Sequence, residues 1–131
     1  MSTVEPSDGS DLRADVIAAL QSLSDPIYQQ NVWGRLESGL NYFDDLSLNL
    51  HTLYDVSRVL PEPTEAVPAV LASAEAPAFG HLQSVLGPLV YAMRGKPDRD
   101  YLAHSNWPLV VRAAADALRA MGVPAVNAGR I

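Results

Sequence analysis

The sequence predicts an all-α fold: a compact bundle of six or seven short helices in a single domain. Three observations lead there. Apolar residues recur at spacings of three and four, the period of a helix with one buried face. Start and stop residues bracket those segments. The chain has 131 residues, 48% of them hydrophobic and 18% charged, which suits one packed core and excludes a disordered chain.

Residues 1–9 are small, polar and turn-prone, and read as a disordered arm. Ser10 is placed to cap the first helix and Asp11 to favour its dipole. Leu12, Val16, Ala19, Leu20 and Leu23 form one apolar stripe that ends near Ser24. Asp25-Pro26 opens a second helix, with aspartate as the cap and proline at a first-turn position that needs no N–H. Tyr28, Val32 and Leu36 share a side of it, and Gly34 and Ser38-Gly39 fray it before residue 40. Residues 46–54 fit two patterns. Leu46, Leu48 and Leu50 alternate like a strand, while Leu46, Leu50, Leu53 and Tyr54 fit a helix capped by Asp44 or Asp45. With no second strand to pair with, helix is the expectation.

PEPTEAVP leads into a short helix over about 64–73, with Pro68 early in it. A longer helix over about 77–94 carries Phe79, Leu82, Val85, Leu86, Leu89, Val90 and Met93. Its broad apolar face predicts a central position, with a kink at Gly87-Pro88 and a stop at Gly95. A turn or helix over 98–103 follows. The last helix begins around Trp107-Pro108 and buries Val110, Val111, Ala114, Leu118 and Met121, with Arg112 and Asp116 as an i,i+4 pair on its other face. Gly122, Val123 and Pro124 end it, leaving 124–131 as a flexible tail and 10–123 as the helical domain. Tyr28, Tyr54 and Tyr91 fall at stripe positions. Trp33 is either core or, beside Gly34, a surface anchor for a partner.

The chemistry that composition excludes is broad. With no cysteine, disulfide frameworks, thiol catalysis and zinc ribbons are out, and a reducing compartment fits. His51, His81 and His104 lack the spacing that puts two ligands on one helix face, so neither metal nor cofactor is expected. No nucleophile elbow, phosphate loop or dinucleotide fingerprint occurs. Asp44-Asp45 could be drawn as an acid–base pair with His51, but a helix cap and its neighbour is the plainer reading, so no catalysis is expected. A net charge of −6 argues against a general nucleic-acid binder. The opening residues carry no signal peptide, and no run reaches the roughly 18 apolar residues of a membrane span. A cytoplasmic protein is expected.

Charge is unevenly spread. Residues 37–75 hold Glu37, Asp44, Asp45, Asp55, Glu62, Glu65 and Glu75 against Arg58 alone, whereas 76–131 is mildly basic. One reading is ordinary solvated surface. The sharper one is an acidic face that meets a basic protein, with Asp44, Asp45, Asp55, Glu62 and Glu65 as contact residues and Trp33 as the anchor.

Three stretches resemble a little-characterised family of small actinobacterial proteins labelled immunity-like. They are DPIYQQNVW (Asp25, Pro26, Tyr28, Gln29, Val32, Trp33), HTLYD (Leu53, Tyr54, Asp55) and YLAHSNWPLVVRAAADAL (Tyr101, His104, Trp107, Pro108, Val110, Val111). The resemblance implies a cytoplasmic protein that neutralises a cognate toxin, and it adds no catalytic residue. Residues alone leave two other readings: a structural or adaptor module, homodimeric through surplus apolar positions such as Trp33 and Leu48, and an enzyme using Asp44, Asp45 and a histidine.

Overall fold

The computed structural model describes residues 9–33 and 44–125. Six α-helices occur among them and no strand: α1 (Gly9–Leu23), α2 (Pro26–Val32), α3 (Leu46–His51), α4 (Ala76–Ala92), α5 (Asp98–Ala103) and α6 (Trp107–Ala120). The expected all-α bundle is therefore what forms. The arm over 1–8, the residues Gly34, Leu36, Glu37, Ser38 and Gly39, and the tail beyond Ala125 lie outside the described residues.

α1 starts at Gly9, two residues before the Asp11 start that a Ser10 cap implies, so Ser10 lies inside the helix instead of capping it. Its stripe is buried as the spacing requires: Val16, Ala19, Leu20 and Leu23 are core. Asp25 caps α2, its carboxylate accepting the Tyr28 N–H at 3.0 Å, with Pro26 at the first helical position. α2 is shorter than the pattern predicts. It stops where Trp33 becomes extended (φ −64°, ψ 132°). The ambiguous segment is helical. Asp45 caps α3 by accepting the Leu48 N–H at 2.8 Å, and the chain continues as one wider π turn over Thr52–Val56. Arg58 then takes a left-handed φ of 58°.

The helix expected over 64–73 does not form. Pro63–Ala66 makes a single 3-10 turn, and Val67 is extended (φ −95°, ψ 132°). A residue before proline is pushed out of the helical region by the ring, and Pro68 does that to Val67. α4 runs unbroken through Pro88. Gly87 serves packing: a Cβ there would stand 2.4 Å from Gln83 Nε2. Tyr91 is not core, being 76% exposed.

α6 takes the central position expected of α4. It lies between α1 and α4 and packs on both. Ala113, Ala114 and Ala117 are fully buried on it, and small side chains let both neighbours approach. Its C-terminus closes as a Schellman turn. Gly122 sits at φ 83°, its N–H meets Arg119 O at 2.9 Å, and the Val123 N–H meets Leu118 O at 2.9 Å. Asp116 pairs with Arg119 at 2.6 Å.

Candidate functional site

Three carboxylates gather at the start of α3: Asp44 and Asp45, which directly precede it, and Asp98 from α5. Asp44, just before the cap, accepts three side-chain hydrogen bonds: Ser22 Oγ at 3.0 Å and Tyr28 OH at 2.7 Å on one oxygen, Asn49 Nδ2 at 2.9 Å on the other. Ser22 Oγ in turn accepts the Trp33 indole N–H at 2.9 Å. Asp98, from α5, accepts the Leu46 N–H at 3.1 Å. Burial lifts the Asp98 carboxyl above its usual range, the Leu46 N–H pulls it back, and Asp45 and Asp44 push it further up.

Beside this network lies an open cleft of about 480 Å³ between α1, α2 and α3. Asp15, Asp25 and Asp44 line it together with Gln21, Tyr28 and Asn49, and Ala18, Ala19 and Leu48 supply an apolar side. Among the described residues, no lysine, arginine or histidine lines it. A smaller recess of about 280 Å³ around Trp33 adjoins Asp45, Asp98 and Arg99. The chemistry of the cleft is that of a receptor for a cationic group with an aliphatic stem, since carboxylates meet the charge and the apolar side meets the methylenes.

The structure brings only some of the expected contact residues together. Asp44 and Asp45 lie at the cleft end of α1. Glu62 and Glu65, both exposed, belong to the segment tied to the other end: Ala66 O accepts the Val70 N–H, and Val70 O accepts Arg13 at 3.0 Å. Arg13 and Ser22 are about 14 Å apart along the helix, so the acidic midsection is not one wall. Glu75 is neutralised within the chain, gripped by Arg13 through two bonds of 2.8 and 2.7 Å. Those bonds hold the Glu75 carboxyl below its usual range against the opposing effect of burial. Asp55 faces a third cavity and pairs with His51 at 3.0 Å. Trp33 is 5% exposed and packs edge-on against Trp107, so it is core and offers no anchor to a partner.

Sequence reasoning missed Asp15 and Asp25 as lining residues. Charge summed over contiguous segments hides a site assembled from three helices. The available signal was the helical period, which places Asp15 one turn before Ala19 on α1.

The groups an acid–base centre would use stand apart. His51 meets Asp55, His104 Nδ1 accepts the Asn106 N–H at 3.0 Å, and His81 is exposed. Among the described residues no three His, Asp or Glu are grouped to hold a metal, and no helix is long and apolar enough to cross a membrane. The large exposed apolar residues among those described, Ile27, Leu48, Val56, Tyr91 and Leu109, sit on five different elements.

Residues 10–128 match the family model described as Domain of unknown function (DUF7945). Neither a curated protein nor a solved structure matches the chain.

Proposed function

We propose that this chain, which belongs to the DUF7945 family, is a non-catalytic protein-binding domain that neutralises a basic toxin domain in the cytoplasm, in the manner of an immunity protein. The observation that carries the reading is the cleft of Asp15, Asp25 and Asp44, with carboxylates and an apolar side and, among the described residues, no basic one in its lining. A lysine or arginine side chain of a partner fits that chemistry. Toxins that act on nucleic acids carry such side chains in order to hold phosphates. This reading puts the contact surface at that cleft and not along the acidic midsection as a whole. Asp44 stays in it, with Asp45 next to it as the α3 cap, Asp15 and Asp25 join it, and Glu62, Glu65 and Trp33 leave it.

The test is co-expression with a basic protein encoded beside this chain, followed by association kinetics on the purified pair. Asp15 is exposed and its replacement leaves the caps intact, so Asp15→Lys is the variant of choice. Steered association responds to such reversal and to ionic strength, by about tenfold or more. The reading fails if the rate is unchanged both by Asp15→Lys and by about 1 M salt, where the screening length falls to about 3 Å.

A further inference from the structure

We propose that the groove between α2 and α6 is a binding site for a small amphipathic carboxylic acid, with its apolar body on the groove floor and its carboxylate at Arg112. The groove encloses about 570 Å³ and shares no lining residue with the acidic cleft. That volume lies within the range of small-molecule sites, roughly 300–1,000 Å³.

The floor dictates the body of the occupant. Gln29 is 1% exposed, and its amide donates to Ser22 O at 2.8 Å and Leu23 O at 2.9 Å, while its oxygen accepts the Trp107 indole N–H at 3.0 Å. The donors of Gln29 and Trp107 are thus already engaged, while Ser24 and the exposed Gln30 also line the groove. Leu102, Val111 and Ala115 complete the surface. A polar body seated over Gln29 and Trp107 would leave its own groups without partners there, which favours an apolar one.

The rim dictates the head group. Among the described residues, the charged ones lining the groove are Arg112, Asp116 and Arg119, all exposed. Asp116 and Arg119 are closed on each other at 2.6 Å. Arg112 has no ion-pair partner among the described residues. The rim therefore carries one net positive charge, presented as a planar fork that matches a carboxylate. A single charge answers a monoanion better than a phosphate dianion, and it repels an amine.

The experiment is a titration of the full chain with decanoate, below its micelle-forming concentration, followed through backbone amide shifts. Decan-1-ol and decylamine serve as head-group controls. Saturable shifts along residues 107–119 and 26–30 are expected with decanoate, with about tenfold weaker binding of both controls and about tenfold weaker binding of decanoate to Arg112→Met. Arg112 is exposed, so the variant keeps the fold, and Val111→Asp offers a second one that spoils the floor. Decanol binding as well as decanoate, Arg112→Met binding unchanged, shifts that never saturate, or shifts centred on Asp15 and Asp44 would each overturn the proposal. So would saturation by an acidic amphipathic peptide with no response to decanoate. Failure here leaves the cationic-partner test untouched, because the two sites use different residues.

Discussion

Ser22 joins three side chains from three parts of the chain. Its hydroxyl donates to Asp44, accepts from the Trp33 indole and lies 3.3 Å from Asn49 Nδ2. It is 7% exposed, so water does not readily replace what is lost. Ser22→Ala leaves the indole N–H buried without its acceptor and takes one donor from Asp44, a loss of about 1–3 kcal/mol. Urea unfolding of the two proteins measures it as a lowered midpoint. Tyr28→Phe removes a different donor to the same carboxylate, at 2.7 Å. Tyr28 is only half-buried, so water substitutes in part and the cost falls to about 0.5–1.5 kcal/mol. A Ser22→Ala variant as stable as the parent would show that the network does not hold Asp44 in place.

At the scale of elements, the backbone carries two local conflicts, and each makes a prediction. Pro88 sits inside α4, where it donates nothing to the preceding turn and its ring crowds that turn. Pro88→Ala restores a donor at an exposed position and is expected to raise stability by about 1–3 kcal/mol, seen as a higher melting temperature. Arg58 holds a left-handed backbone that side chains with a Cβ resist. Arg58→Gly removes that conflict while loosening the unfolded chain, for a net gain of about 0.5–1 kcal/mol in the same measurement. The elements readable in advance were α1 and α6 from their apolar stripes and α2 from its Asp25 cap and Pro26. The misread stretch at 64–73 had a stripe in composition but a proline after Val67, and the proline decided its backbone. Tyr91 was misread because spacing places a residue on a face without saying whether a neighbour covers that face. One of the three carboxylates of the acidic cleft was legible, since Asp44 stands in a doublet at a helix start. Asp25 was read as a helix cap alone and Asp15 carried no signal, because nothing along the chain shows that α1 and α2 meet α3.

Across the whole molecule, two carboxyl groups pull stability in opposite directions as pH falls. Glu75, clasped by Arg13, is held below its unfolded value of 4.5. The stability it contributes is fully present above 4.5 and is lost as pH falls through its folded value. The raised state of Arg13 reports the same contact and is counted once. Asp98 is held above its unfolded value of 3.8, mainly by burial. Its protonated form favours the fold, so its contribution is complete below 3.8 and is lost as pH rises through the folded value. Two variants separate these opposed slopes. Glu75→Gln at neutral pH breaks a charged pair and weakens two hydrogen bonds, for a loss of about 1–3 kcal/mol. The loss should shrink steadily below pH 4.5 as the parent protonates. Asp98→Asn keeps an oxygen for the Leu46 N–H but carries no charge. It should be more stable than the parent at neutral pH and converge with it in acid. The variants therefore move oppositely at pH 7 and both approach the parent at low pH, and unfolding curves across that range measure this. An Asp98→Asn protein less stable than the parent at neutral pH would mean that the charge-assisted bond to Leu46 outweighs burial, so that the three carboxylates around α3 stabilise that end of the bundle as anions.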